Sequence, residues 1–379
     1  MYVTKMVCSQ CGRLHDHERI QTVCTRCGST LLVQYDLESL KSILPQSRFQ
    51  GRGNTLWRYD AVLPVEKKDI ITLGEGYTPI FQLKQLHTDS LWLKEESLNP
   101  TGTFKARGMA VAISKARNLG ITDVVVPSAG NAGAALSFYS ARADMRAHVV
   151  MPEDTPPIIK RECTAAGAHV VLVKGTIAQA GALATEMGAE HAWFNMATLQ
   201  EPYRLEGKKT MGYEIAESFH WDLPDVIIYP TGGGTGLIGI WKAFEELEIL
   251  GWISEKKPRM IAVQSTGCAP IVKAFTEGRT TVTPWSDPHT MASGLNVPAP
   301  FAAPLILRVI NESGGAAVSV PDSAIHTAIT ELASREGIYA CPEGAATFAA
   351  YQNLIQEGTI DRDEKTLLIN TGSGLMYPY

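Results

Sequence analysis

Ser97-Leu98-Asn99-Pro100-Thr101-Gly102-Thr103-Phe104-Lys105-Ala106-Arg107-Gly108 is the stretch from which the rest of this chain can be read. Asn99-Pro100-Thr101-Gly102 signals a turn, because proline presets φ and glycine admits the left-handed region. A helical pattern follows from about 104 to 119 and is closed by Gly120. Lys105 therefore falls in the first turn of a helix, where the helix dipole disfavours a cation. An electropositive, partly dry site lowers a lysine's pKa and makes its amine a better nucleophile. A lysine in isolation is ordinarily a solvated surface residue. The reading of Lys105 thus depends on its company in the chain.

Outward from that stretch, strands and helices alternate. Leu91-Trp92-Leu93-Lys94 is a short strand leading into the lysine loop. Apolar runs at 124–127, 147–151 and 169–173 read as buried parallel strands, with helices predicted over 132–143 and 176–187. Runs at 225–229, 260–264 and 366–370 continue the alternation in a second unit, whereas 36–70 reads as a connecting region. This is the pattern of doubly wound α/β layers, and two such units would leave a cleft between them, the usual place for a ligand.

Composition narrows the classes. The chain has 379 residues, 45% hydrophobic and 19% charged, which suits an ordinary globular protein of two or three domains. A net charge of -5 argues against a general nucleic-acid binder. No apolar run approaches the roughly 20 residues of a membrane span, and the polar, cysteine-bearing opening is not a signal peptide. Seven cysteines in a chain of this size point to metal or thiol use in a reducing compartment, so a cytoplasmic location is expected.

Four of those cysteines are grouped. Cys8-x-x-Cys11 and Cys24-x-x-Cys27 stand twelve residues apart, each pair followed by a glycine, Gly12 or Gly28. Two such knuckles can place four thiolates tetrahedrally around zinc, a redox pair being the competing reading. Four cysteines fill a structural site and leave no open position for catalysis, so His15 and His17 are not needed as ligands. In a segment too short for its own core the metal would supply folding energy. A structural appendage is the expectation.

Gly232-Gly233-Gly234-Thr235-Gly236 comes directly after a strand and before a helix expected from about 237. Glycines let backbone N–H groups turn toward a phosphate, and the helix N-terminus adds a favourable dipole. A dinucleotide fingerprint would also call for an acidic ribose partner after the next strand, where this chain has Gln264-Ser265.

Taken together, these stretches resemble the fold-type II pyridoxal-phosphate enzymes, the tryptophan synthase β-like group, and within it the threonine synthase family. The resemblance rests on Asn99-Pro100-Thr101-Gly102-Thr103-Phe104-Lys105, Ser128-Ala129-Gly130-Asn131, the glycine run from Thr231 to Gly236, and Thr371-Gly372-Ser373-Gly374-Leu375, in that order. Tyr203-Arg204-Leu205-Glu206-Gly207-Lys208-Lys209-Thr210 resembles a segment of threonine synthases specifically, as does Thr72-Leu73-Gly74-Glu75-Gly76-Tyr77-Thr78-Pro79. The implied fold is two doubly wound α/β domains with a cleft between them, plus a small N-terminal zinc-ribbon-like segment. The expected division is a zinc-ribbon-like segment at 1–35, a linker and the start of the large domain at 36–90, a smaller α/β domain at 91–193 and a large α/β cofactor domain at 194–379.

The resemblance also implies roles. Lys105 would hold pyridoxal 5'-phosphate as a Schiff base and then shuttle protons. Asn131 would bond the cofactor's 3'-oxygen, Gly232, Gly233, Gly234, Thr235 and Gly236 its phosphate, and Thr371 its pyridine nitrogen. Backbone amides of Ser128, Ala129 and Gly130 would take the substrate carboxylate, and Arg204 the substrate phosphate. Read by themselves, Asn131 is also a plausible helix cap, Thr371 a turn residue, and Arg204 a partner for Glu201 or Glu206. Glu343 resembles a family helix start near the ring, while His289, Cys163, Cys268 and Cys341 read as structural. The metal ligands expected are Cys8, Cys11, Cys24 and Cys27.

Three positions depart from the family pattern. Ala106 replaces an aspartate after the lysine, Ala132-Gly133-Ala134 replaces hydroxyl-bearing residues, and Thr198-Leu199-Gln200-Glu201 replaces an Asn-Ser pair. Each loss removes a polar contact, and Glu201 would repel a phosphate if it pointed inward. The expected reaction is conversion of O-phosphohomoserine and water to threonine and phosphate by a homodimeric enzyme acting on a small amino acid, with no nucleic-acid partner. A serine/threonine dehydratase or another β-eliminating or β-replacing lyase is the alternative enzyme, and a non-catalytic regulatory protein of the same fold the alternative class.

Overall fold

A computed structural model describes residues 2–49, 52–86 and 90–377. The chain divides into two compact units, one of Met1–Tyr77, Asn99–Thr101 and Lys105–Thr210, the other of Thr78–Leu98, Gly102–Phe104 and Met211–Tyr379. The fold class is α/β, with a parallel sheet in each unit.

In the first unit a four-stranded parallel sheet runs in the order His169–Val173, Arg146–Pro152, Asp123–Pro127, Phe194–Asn195. Its inner strands are apolar without alternation, as expected where both faces are covered. Helices Lys105–Asn118, Asn131–Arg142, Pro157–Ala165 and Ile177–His191 belong to this unit. Gly120, in the left-handed region at φ 76°, follows the first of them.

The N-terminal segment is a three-stranded antiparallel sheet in the order Leu14–His15, Val3–Cys8, Leu31–Tyr35. It is not an appendage. Met6, Leu31 and Val33 are buried in one apolar core with Met109 and Ile113 of the lysine helix and with Tyr203. One face of so small a sheet must be covered, and the rest of the unit covers it. The region after it also holds more structure than its composition suggests. Helix Leu37–Ile43 starts there, capped by Asp36, whose carboxylate accepts the Ser39 N–H at 3.0 Å.

Helix Tyr203–Ser218 is unusual in being buried on every side through its first fourteen residues, although it begins Tyr-Arg-Leu-Glu-Gly-Lys-Lys-Thr. Glycine makes that burial possible. A Cβ on Gly207 would meet the Arg107 carbonyl group, and Gly108 Cα at 2.8 Å; one on Gly108 would meet the Arg204 carbonyl oxygen at 3.0 Å. The helices of Lys105 and Arg204 therefore cross backbone against backbone.

In the second unit a six-stranded sheet runs Ala316–Val320, Arg259–Ser265, Val226–Pro230, Thr366–Asn370, Leu91–Glu95, Ile80–Gln82, parallel except for the last strand. Helices Thr235–Ile249, Pro270–Thr276, Ala303–Glu312, Asp322–Glu331 and Pro342–Gln356 belong to it. Among the described residues no helix is long and apolar enough to cross a membrane.

The crossing supplies a test. In an ordinary helix interior Gly→Ala stabilises, but at Gly207 the added methyl meets backbone that cannot swing away. Gly207→Ala is expected to destabilise the protein by about 2 kcal/mol or more in urea unfolding. A neutral or stabilising effect would mean that the helices do not meet there.

Candidate active site and cysteine centre

The first unit assembles several of the residues picked out from sequence. Lys105 is the first residue of its helix and is half-buried. Arg204 lies one turn further along, because its backbone packs on Gly108. The residue is 3% exposed, and its guanidinium donates through Nη1 to the Met196 carbonyl at 2.6 Å. Burial pulls its pKa below the usual range, against the attraction of Glu201.

Glu201 does not face Arg204 as a simple ion-pair partner. Its Oε2 accepts the Tyr203 N–H at 2.6 Å, and both of its oxygens accept the Arg204 N–H at 3.1 Å. It is a helix cap, holding carboxylate charge at the positive end of the dipole. Full burial pushes its carboxyl up to about 7, even though Arg204 and the two N–H donors pull the other way. Glu206, the other candidate partner, pairs with Lys209 at 2.8 Å and accepts the Tyr35 hydroxyl at 2.7 Å.

Ser128-Ala129-Gly130-Asn131 forms the turn from strand Asp123–Pro127 into helix Asn131–Arg142. Ser128 Oγ accepts the N–H groups of Gly130 and Gly133, at 3.2 and 3.0 Å, and donates to the Gly130 carbonyl at 3.0 Å. The serine thus shapes the loop. The cap position falls on Gly130, and Asn131 is the first helical residue. Gly133 is close-packed, since a Cβ there would stand 2.9 Å from Val149 Cγ1. Ala106 is fully buried.

Sequence reading gave Glu75 no role, yet it is the most heavily bonded carboxylate here. Fully buried, it accepts from Trp57 Nε1 (2.7 Å), Thr72 Oγ1 (3.1 Å), the Leu73 N–H (2.9 Å) and Tyr139 Oη (2.6 Å). It fastens the Thr72–Tyr77 segment to the helix that Asn131 opens. In sequence it sits among glycines, and Trp57 and Tyr139 are too distant along the chain to signal it.

The second unit holds the other set. Gly232–Gly236 joins strand Val226–Pro230 to helix Thr235–Ile249, with Gly234 in the left-handed region at φ 75° as its cap residue. There is no room for side chains on its protein side. A Cβ on Gly232 would strike the Gly294 carbonyl, one on Gly234 the side chain of Ile306, and one on Gly236 the ring of Tyr229.

Thr371 follows strand Thr366–Asn370, and its carbonyl accepts the N–H of Phe104, the residue before Lys105, at 3.0 Å. The Ser373 N–H returns to the Gly102 carbonyl at 3.0 Å. Behind Thr371, Cys341 Sγ lies 3.6 Å from its hydroxyl and 3.4 Å from Asn370 Oδ1, and Asn370 donates to Glu95 at 2.7 Å. Burial raises the Cys341 thiol well above its ordinary value, keeping it neutral. Glu343 Oε1 accepts the Gly294 N–H at 2.6 Å.

In the N-terminal sheet the four knuckle cysteines bring their sulfurs within 4.8 Å of one another. Cys8 and Cys27 are 3.4 Å apart, Cys11 and Cys27 3.5 Å, and Cys11 and Cys24 3.7 Å. A tetrahedral zinc site with bonds of about 2.3 Å has edges of about 3.8 Å, so the donor set fits such an ion. The N–H groups of Gln10 and Cys11 point at Cys8 Sγ, and that of Arg26 at Cys24 Sγ. Such donors favour thiolate.

Residues 71–372 match the family described as "Pyridoxal-phosphate dependent enzyme". The protein is therefore a pyridoxal-phosphate dependent enzyme, and its substrate is of the amino-acid type. The threonine synthase of Methanocaldococcus jannaschii is 37% identical over 98% of this chain and 92% of its own length, and that of Methanosarcina acetivorans 36% over the same shares. With these relatives aligned end to end, the chain belongs to the threonine synthase family. The processed form of threonine deaminase isoform 2 from Solanum lycopersicum shares the fold, with a TM-score of 0.69 over 85% of this chain and 92% of that one at 22% identity.

The Glu201 cap has a pH signature. Its carboxyl is raised from 4.5 to about 7 in the folded chain. Folding therefore favours the protonated form, and the stability it contributes is fully present below 4.5 and lost as pH rises through about 7. Unfolding free energies from urea titrations between pH 4.5 and 7.5 should show a decline of up to about 3 kcal/mol in the parent that is flattened in Glu201→Gln. Parallel pH profiles for the two proteins would contradict the assignment.

Proposed function

We propose that this enzyme converts O-phosphohomoserine and water to L-threonine and inorganic phosphate. The single observation that carries the reading is the family match at 37% identity over 98% of the chain. It is supported by Arg204, a buried arginine whose backbone packs on Gly108, one helical turn after Lys105.

Bound pyridoxal phosphate supplies an electron sink that stabilises negative charge beside the amino-bearing carbon. The glycine run Gly232, Gly233, Gly234 and Gly236, with Thr235, holds its phosphate. The fit is good, because those glycines open a 15-residue helix whose first N–H groups suit an anion. Asn131 takes its 3'-oxygen and the hydroxyl of Thr371 its pyridine nitrogen. Lys105 provides the amine that carries the cofactor and then moves protons at the substrate's α, β and γ carbons. Backbone N–H groups of Ser128, Ala129 and Gly130 take the carboxylate.

Arg204 holds the phosphate dianion, for which a planar fork is the fitting donor. As phosphate leaves Cγ with the bonding pair, that cation stabilises the charge it carries away. Loss of phosphate is matched by removal of the Cα and Cβ protons by Lys105; a proton is then delivered to Cγ, water adds its hydroxyl at Cβ, and a proton returns to Cα. Glu201 is no obstacle to an anion, since its oxygens are turned onto the helix N–H groups.

Cys8, Cys11, Cys24 and Cys27 hold a structural zinc ion, a reading supported by the spacing of their sulfurs. We also place the enzyme in the cytoplasm, as a homodimer. The thiol-rich metal centre supports the first, and family resemblance the second.

Purified enzyme supplied with cofactor and O-phosphohomoserine should release phosphate and threonine in equal amounts. Arg204→Gln should lower kcat/KM at least about 100-fold, the loss of a charge-assisted pair. Keto acid from L-threonine or L-serine, with no phosphate release from O-phosphohomoserine, would make the enzyme a dehydratase and overturn the reading.

A further inference from the structure

The four-cysteine module lies close, within the first unit, to the segment that presents Arg204. Thr30 is 2% exposed, and its Oγ1 donates to the Leu199 carbonyl at 2.9 Å. Leu199 is buried in the left-handed region at φ 59°, a conformation a leucine keeps only when its surroundings hold it there. Two residues on is Glu201, whose carboxylate sets the N–H groups of Tyr203 and Arg204.

A second attachment lies at the far end of the same strand. Tyr35 Oη donates to Glu206 Oε2, and Lys209 Nζ reaches that same oxygen while sitting 4.0 Å over the Tyr35 ring. Strand Leu31–Tyr35 thus grips the Arg204 helix on both sides of its first turn.

The strand is in turn fixed by the knuckles. Cys8 pairs in register with Leu31, the Cys24 N–H donates to Ser29, and the Ser9 N–H donates to Thr30. Only Gly28 and Ser29 separate Cys27 from Thr30. A bound ion that fixes Cys8 and Cys27 fixes the backbone from which Thr30 reaches Leu199.

We propose that the metal-loaded cysteine module is a positioning element for the substrate-phosphate site, with Thr30 and Tyr35 as the positioning residues that carry its effect to Arg204. The inference rests on the reading of Arg204 as the phosphate ligand. Loss of the metal, or of either attachment, lets the Leu199–Arg204 turn open and the guanidinium move off the phosphate. Neither attachment is made to a residue that would hold the cofactor. The module would then tie the use of a phosphorylated substrate to metal supply and thiol oxidation.

The test compares holoenzyme, chelator-treated holoenzyme of verified lower zinc content, and Thr30→Val, which leaves the ligand set intact. Amide exchange of peptides covering 197–206 is read by mass spectrometry, beside the cofactor's absorbance and the kinetics with O-phosphohomoserine. Exchange there should quicken about tenfold and kcat/KM with O-phosphohomoserine fall about three- to tenfold in both altered forms, with cofactor absorbance unchanged. Unchanged exchange in Thr30→Val overturns the coupling whatever the substrate proves to be. Faster exchange without a fall in kcat/KM also overturns it, because the motion then does not reach the phosphate. Arg204→Gln separates the two claims. If that variant keeps the parent kcat/KM, the reading of Arg204 fails, while the exchange result still judges the coupling.

Discussion

Two helices meeting without side chains between them set the geometry of the first unit. Gly108 and Gly207 let the Lys105 helix and the Arg204 helix touch at their backbones, so the two helices are held closer than side chains between them would allow. That closeness has a consequence for charge. A helix buried all round must find partners inside the protein for every polar group it carries. Glu206 and Lys209 pair with each other, Lys209 also reaches the Val62 carbonyl, and Thr210 accepts from Arg107. Burying these charges contributes little net stability, but removing one partner would strand the other.

The second unit meets the same constraint with different groups. Lys94 lies wholly buried on strand Leu91–Glu95 and donates to Glu214 at 2.8 Å and to the Thr78 carbonyl at 3.1 Å. Beside it Glu95, Asn370 and Cys341 form a polar line that ends at the Thr371 hydroxyl. A neutral thiol against that hydroxyl leaves the oxygen's polarity intact, where a carboxylate would bring charge. The short ladder between 102–104 and 371–373 then fixes the backbone that leads directly into Lys105.

The α/β class was legible because buried parallel strands leave a plain signature of short apolar runs between helices. The run at 366–370 matches its strand to the residue, and the lysine helix starts and stops within one residue of its predicted ends. Helix Tyr203–Ser218 carries no apolar stripe, and its burial depends on Gly207, whose partner Arg107 lies a hundred residues away. Glu201 reads from sequence as a charge near a phosphate site, and only the coordinates reveal it as a cap. The N-terminal segment has too few residues to announce a core, so its packing on Met109, Ile113 and Tyr203 could not be foreseen. Local grammar is written in neighbouring residues. Long-range support for a site is not.

The account stands most directly on Arg204 as the group that selects a phosphorylated amino acid. A phosphonate analogue of O-phosphohomoserine, with a methylene in place of the bridging ester oxygen, cannot release phosphate and can be titrated calorimetrically into holoenzyme. The account predicts saturable binding to the parent protein, weakened at least about tenfold in Arg204→Gln with cofactor absorbance unaltered. Equal binding by the two proteins, or no preference of the parent for the phosphonate over homoserine, would contradict it.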